Sequence, residues 1–356
     1  MTIPKQLCIM EQDANPYQEL RSDFEFQKQV YRHIGSFAKS SWIDSVLEVA
    51  ITVLMLSLCL QFESVFWSPL LALVYVRSFI IFHDMGHKAF FPSERANWIG
   101  GLLFGALTFT PLSYWVAGHT YHHANSNKLN RPQHAQTASW ETTMYLASSR
   151  TDRIIYKLSY GCYTLFTIVP PVYFFVLHRF VSKWYESGVQ LVYLLALYYY
   201  LDPQQYVYVA VALWLAAILG FVLFHAQHTF DGVYRAFDAR DLNELTASNK
   251  NTDGTETDIE SDAGVTKAWR YFMNGMYGSS YLQLPWYLQI FTCNIQYHHI
   301  HHLNPNVPFY RLRECHEAGA CLFEQVPRTT LTSVLYSLRY SLYNAQTRSF
   351  ENVYKY

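Results

Sequence analysis

The sequence predicts an all-α integral membrane protein with four transmembrane helices. Two further apolar segments re-enter the bilayer or lie at its surface, and a cytoplasmic helical cap carries a metal site. Three observations lead there. Six stretches of the 356-residue chain are apolar over the length of a membrane helix or nearly so. Charged residues are 15% of the chain against a usual quarter, while 51% is apolar and 17% aromatic. Finally, eleven of the fifteen histidines fall in four tight groups.

The six stretches are 45–62, 66–82, 98–117, 160–177, 187–201 and 206–224. The fifth is short and needs its flanks or a thin bilayer. The excess of Lys and Arg on cytoplasmic loops orients them. Lys28, Arg32 and Lys39 precede the first stretch, only Glu63 lies in the turn to the second, and Lys88 and Arg95 follow it. These two form a hairpin with its tip on the far side. The last two behave alike, with Arg179 and Lys183 before, residues 202–205 at the tip and Arg235 after. The middle pair differs. Stretch 98–117 holds Gly100, Gly101, Gly105 and Pro111, which suit a broken, re-entrant path. Stretch 160–177 has positive charge at both ends and Pro170-Pro171 inside, which suits a dip or an interfacial path. Four crossings result, with both termini cytoplasmic.

Residues 1–42 are then a polar cytoplasmic segment without the pattern of a signal peptide, so insertion relies on the internal stretches. Residues 43–350 form the membrane domain, and 351–356 a short tail. Within the domain, 241–264 turns abruptly acidic and polar, which predicts a disordered cytoplasmic insertion. A net charge of −1 gives no electrostatic case for nucleic acid. The six cysteines lack C-x-x-C spacing and read as reduced, buried thiols.

The histidine groups are His83-x-x-x-His87, His119-x-x-His122-His123, His225-x-x-His228 and His298-His299-x-His301-His302. Residues three and four apart share one helix face. His83 with His87, and each i, i+3, i+4 triplet, can thus converge on one ion. Imidazole suits iron, zinc, copper or nickel. One ion cannot use eight or nine imidazoles, so the number of histidines asks for two metals with a position left open on each. In the four-crossing arrangement all four groups sit at the cytoplasmic boundary, as a shared site requires. His33, His134, His178 and His316 stand alone and read as interfacial or hydrogen-bonded, and packing is the preferred reading for His225 and His299. Asp84, beside His83, and Asn294, one turn before His298, are candidates to orient an imidazole; capping or surface roles are the alternative for Asp84.

Removing hydrogen from an unactivated methylene lies beyond acid–base groups and needs a metal–oxygen oxidant, with the protein positioning the substrate. The all-imidazole set also differs from the Glu-x-x-His sites of soluble di-iron bundles.

The chain resembles the membrane fatty acid desaturases, in particular the bacterial and cyanobacterial acyl-lipid type and the plant omega-6 and omega-3 relatives. The resemblance runs from about residue 43 to about 347. It is carried by Val76 to His87 with Phe90-Phe91, by His119 to Ser126, and by Phe224 to Phe230 with its Gln-His-Xaa-Phe element. Gly278 to Tyr281, Leu284-Pro285, Asn294-Ile295, the box at 298–302, Leu303-Asn304-Pro305 and Pro308 to Leu312 continue it.

The resemblance implies nine iron ligands: His83, His87, His119, His122, His123, His228, His298, His301 and His302. It implies two iron ions cycling between Fe2+ and Fe3+, with O2 as co-substrate. It also implies a lipid-linked or thioester-linked acyl chain and a metal site facing the cytoplasm. The expected reaction is the introduction of a cis double bond. The expected location is the endoplasmic reticulum of a eukaryote or the plasma or thylakoid membrane of a prokaryote. No His-Pro-Gly-Gly pattern of cytochrome b5 occurs, so electrons come from a separate donor, cytochrome b5 or ferredoxin. One departure stands out: the acidic residue the family carries after the second box is missing from Ala135 to Trp140.

Three other readings compete. A hydroxylase, acetylenase or carotenoid ketolase would use the same scaffold, and product mass separates these from a desaturase. A metal transporter or zinc-binding receptor should carry polar ligands mid-membrane, where only Glu48 and Arg77 are charged. A transmembrane haem cytochrome needs paired histidines deep in facing helices, and none occur.

Overall fold

The computed structural model of the chain describes residues 24–127, 139–233, 271–344, 346–347 and 349–356. The predicted insertion at 241–264, His134 and residues 135–138 lie outside them.

The protein is mostly helical. After α1 (Phe24–Gly35), three helices among the described residues are long and apolar enough to cross a membrane. These are α2 (Trp42–Cys59), the helix α3 (Ser68–Gly86) with its leading turn Val65–Trp67, and α12 (Pro203–His228). Ser41 caps α2 by accepting from the Asp44 N–H. Pro69, the second residue of α3, sits in the first turn, where a helix needs no N–H. Pro203 opens α12 for the same reason, directly after its cap Asp202.

The ends of these helices register the hairpins. Gln205 Nε2 donates to the Leu60 carbonyl at 2.8 Å, and the Tyr208 hydroxyl to that of Cys59 at 3.0 Å. Ser68 Oγ donates to the Tyr208 carbonyl at 3.0 Å. At the other end, Ser45 Oγ of α2 donates to the Phe90 carbonyl, three residues past His87. The two loops at 60–64 and 201–202 therefore share one end of the molecule, and the histidine-bearing ends of α3 and α12 share the opposite one.

Between α3 and α12 the chain departs from regular crossings. Helices α4 (Glu94–Leu107) and α5 (Leu112–Asn125) are apolar but bent by 101° relative to each other. Phe109 turns there with φ 57°, and Pro111 offers no N–H to continue α4. A Cβ on Gly105 would lie 2.6 Å from the Thr110 carbonyl oxygen, so the bend needs glycine at that point. After strand β1 (Trp140–Glu141) and helices α6 (Thr142–Ala147) and α7 (Arg150–Tyr160) comes a broken run. It comprises α8 (Cys162–Leu165), α9 (Val169–Val172), a π turn at Tyr173–Leu177 and α10 (His178–Val181), none long enough to span.

The charge pattern predicts four crossings, and the fifth stretch is the short one of the four. It lies in α11 (Trp184–Tyr200), which has 17 residues. At about 1.5 Å per residue that reaches about 26 Å, short of the roughly 30 Å of hydrocarbon. Counting the bent pair α4–α5 as one span raises the number from three to four by another route.

The C-terminal part folds against the histidine end. Helix 271–277, β2 (Tyr281–Gln283), α13 (Trp286–Thr292), α14 (His298–Leu303), α15 (Phe309–Ala318), β3 (Arg328–Thr330), α16 (Leu331–Ser337), β4 (Leu342–Asn344) and β5 (Ser349–Glu351) follow in order. Strand β2 pairs parallel with β3, and β4 pairs parallel with β1 and antiparallel with β5. The main core joins Ile81, Phe82 and Met85 of α3 to Phe272, Met276, Ile300, Phe309 and Leu312. Residues 351–356, expected as a tail, are built in: Glu351 pairs with Leu342, and Val353 is fully buried beside Tyr145 and Tyr156. Cys59, Cys293 and Cys315 are buried free thiols, while Cys162 and Cys321 are partly exposed.

Candidate metal centre

Four elements bring their histidines to one place. His83 lies in the last turn of α3 and His87 caps it. His119, His122 and His123 occupy the last two turns of α5, and His225 and His228 the last turn of α12. The six-residue α14 carries His298 to His302. It starts only at His298 because Cys293 and Asn294 adopt left-handed conformations, φ 48° and 56°, which reverse the chain after α13.

Eight of the nine expected ligands form two clusters, each with its ring nitrogens within 4.8 Å of one another. One holds His83, His87, His119 and His301; the other holds His122, His228, His298 and His302. Spacing allows each triplet to converge on one ion. Instead the triplets divide. The i, i+4 pair stays together, as in His83/His87 and His298/His302, while the i+3 residue crosses over, as His301 and His122 do. At about 100° per residue, positions i+3 and i+4 fall on opposite sides of residue i, so a triplet wedged between two clusters feeds both.

His123, the ninth, sits between. Its Nε2 is 3.1 Å from His119 Nε2, and its ring stacks on His302 with centroids 4.5 Å apart.

The donor atoms fit a metal ion better than they fit one another. His298 Nε2 lies 2.9 Å from His228 Nε2 and 3.1 Å from His302 Nε2, and His302 Nε2 is 3.3 Å from His122 Nε2. Neighbouring ligands at about 2.1 Å from one ion stand about 3.0–3.4 Å apart for octahedral or tetrahedral angles. His87 Nε2 and both ring nitrogens of His301 are buried with no hydrogen-bond partner among the described residues. Burial, reinforced by neighbouring imidazoles, holds His298, His301 and His302 well below the usual histidine pKa, hence in the neutral form a metal binds.

One carboxylate oxygen of Asp84 is 3.0 Å from His83 Nδ1, and the other accepts from the Phe309 N–H at 2.6 Å. Asn294 lies in the reversal after α13. Its place one turn before His298 assumes a continuous helix, and the reversal at 293–294 removes that turn. No hydrogen bond joins its side chain to a histidine among the described residues; its carbonyl accepts from the Tyr297 N–H.

The remaining described histidines have structural partners. His225 Nε2 meets the Ser337 carbonyl at 2.7 Å, and His299 Nε2 meets His316 Nδ1 at 3.1 Å. His33 and His178 contact the carbonyls of Cys315 and Phe109.

A cavity lies beside the clusters between α3, α5, α12 and the π turn, with about 1270 Å³ of empty space including its mouth. Its wall is apolar and aromatic, including Val76, Ile80, Phe174, Leu213 and Phe221. His83, His119, His122 and His298 reach it, two from each cluster. Trp115 also lines it and stacks on His119 with centroids 4.3 Å apart. Sequence reasoning misses Trp115. Its position four residues before His119 and the bare Gly86, whose Cβ would overlap the Trp115 ring, are the available signals.

Residues 64–332 match the family model described as fatty acid desaturase. The chain belongs to the fatty acid desaturase family. A curated fatty acid desaturase from Bacillus subtilis (strain 168) is 29% identical over 345 residues, covering 91% of this chain and 90% of the relative. In this desaturase the matched span contains all four histidine groups and every residue that lines the cavity.

Proposed function

We propose that this desaturase introduces a cis double bond into a lipid-linked or thioester-linked fatty acyl chain at a centre of two irons held by His83, His87, His119, His122, His123, His228, His298, His301 and His302. The observation that carries this reading is the apolar cavity lined by histidines of both clusters. A cavity of that lining takes an alkyl chain, and histidines of both ligand sets on its wall would put adjacent methylenes beside both.

Two bound irons supply the chemistry that no side chain has, the use of O2 and two donor electrons to remove two hydrogens, with water as the other product. The chain's own residues do the rest. Val76, Ile80, Leu213 and Phe221 hold the alkyl chain by burial and exclude water. Asp84 accepts from His83 Nδ1, fixing the ring with Nε2 toward its cluster, and is itself held by the Phe309 N–H. The positive charges near the histidine ends of the spans support a site and both termini at the cytoplasmic face. There a soluble or membrane-bound donor, cytochrome b5 or ferredoxin, delivers electrons.

Expression in a host with simple lipids, followed by mass spectrometry of its fatty acids under air, tests the reading. The expected products are two hydrogens lighter than the substrate. Products heavier by one oxygen would mean hydroxylation, and unchanged lipids with zinc bound would reject the proposal.

The cavity makes its own prediction. Gly220 lines it, and a Cβ there would meet nothing within 4 Å. Gly220→Leu should displace two or three substrate methylenes, costing about 2 kcal/mol at about 0.8 kcal/mol each. The longest acyl chains should then lose roughly 30-fold in kcat/KM, with shorter chains spared. Equal losses at all lengths would show that the substrate does not pass Gly220.

A further inference from the structure

The loop after the second histidine box turns back on itself at a residue whose side chain reaches a carbonyl that another element's ligand also meets. Ser126 ends α5, its N–H donating to the His122 carbonyl, and Asn127 follows in the left-handed region at φ 60°. Asparagine tolerates that conformation better than most residues. Its amide nitrogen is buried and donates to the Gly278 carbonyl at 2.6 Å and to Asn274 Oδ1 at 2.5 Å. Asn274 donates in turn to Ser126 Oγ. The Gly278 carbonyl also lies 3.1 Å from His228 Nδ1.

A carbonyl oxygen only accepts, so His228 must carry its proton on Nδ1. Its Nε2 then presents a lone pair, pointing at His298 Nε2 2.9 Å away. Gly278 is packed too tightly for any side chain: a Cβ would overlap both Asn127 Nδ2 and Asn274 Oδ1. The carbonyl that sets the tautomer of His228 is thus held among two buried amides.

We propose that Asn127 and Asn274 are positioning residues for the second cluster, acting through the Gly278 carbonyl to fix the Nδ1–H tautomer and the ring plane of His228. Asn127 follows the box that supplies His122, so the same loop ties two ligands of that cluster, from α5 and α12, into one unit. The inference rests on the two-metal reading above. It requires the first cluster to be indifferent to these amides, whose hydrogen bonds among the described residues go to Gly278, Ser126 and each other.

The test is ferrous iron binding to the purified, metal-depleted full chain in detergent, read as iron per chain and as the affinity of each step. Wild type, Asn127→Ala, Asn127→Asp and Asn274→Ala are compared, with melting temperature recorded beside each. The aspartate keeps the volume of asparagine but turns an acceptor toward the Gly278 carbonyl, so it reports even where the alanine variant fails to fold. Expected is a loss of about 10–100-fold in affinity at one of two sites, the other unchanged, in a chain that melts normally. His228→Ala should weaken the same site. Two sites of wild-type affinity in Asn127→Asp and Asn274→Ala would overturn the inference while leaving the two-metal reading intact, and equal weakening of both sites would overturn it by showing a general structural role. A wild-type chain that binds fewer than two irons would instead fail the underlying reading.

Discussion

His301→Ala is expected to empty the first cluster and lower desaturation at least about 100-fold, the upper end of what a lost orienting partner costs a metal site. His301 is the sharpest choice because both of its ring nitrogens are buried and neither has a partner among the described residues. It also stands at the crossover, since His298 and His302 of the same box serve the other cluster. Metal per chain and the fatty acid profile of an expressing host measure the two effects together. His225→Gln is the matched control. It removes a buried ring held by the Ser337 carbonyl, and should cost about 1 kcal/mol of stability with metal content unchanged. A His301→Ala chain that retains two metals and full activity would remove the first cluster from the mechanism.

The second large effect is on stability. Arg77 is 3% exposed in the middle of α3, where an unpaired charge is very costly. It forms an ion pair with Glu48 of α2, donates from Nε to Thr52 Oγ1 at 2.8 Å, and donates to the Ile290 carbonyl at the end of α13. A further contact at 3.4 Å reaches Cys293, in the left-handed reversal that sets the start of α14. One side chain thereby ties two membrane helices to the segment that aims the third histidine box. Arg77→Met should destabilise the chain by about 3–5 kcal/mol, because Glu48 is left without its partner. The melting temperature in detergent should fall by about 10 °C. Adding Glu48→Gln should recover much of that loss, since replacing both charges costs far less than removing one. A double variant no better than the single one would show that the hydrogen bonds to α13, rather than the ion pair, carry the effect.

The sequence was legible where physics acts locally. A membrane helix must satisfy its own backbone, so the first, second and last apolar stretches announced α2, α3 and α12 with little dependence on context. The glycines and Pro111 of 98–117 announced a break, and the bend of 101° lies beside them. The fifth stretch lies in a 17-residue helix, so its crossing turns on length, which apolar content alone does not decide. Asn294 was harder to place, because counting turns presumes a helix and two left-handed residues interrupt it. Asp84 needed no such presumption, being adjacent to His83 in the chain.

What the sequence by itself determined, then, is the set of histidines and the ends of the helices that carry them, since i, i+3 and i+4 spacing is a property of one helix. Which imidazole shares a cluster with which was decided only by the tertiary structure. His301 meets His83 and His87, and His122 meets His228, across hundreds of residues or between separate helices. Each helix can present its i, i+4 pair and its i+3 residue to different sides, and only the packing of α3, α5, α12 and α14 around one point selects the partners. The same packing leaves the apolar cavity beside both clusters, a space that belongs to no single segment.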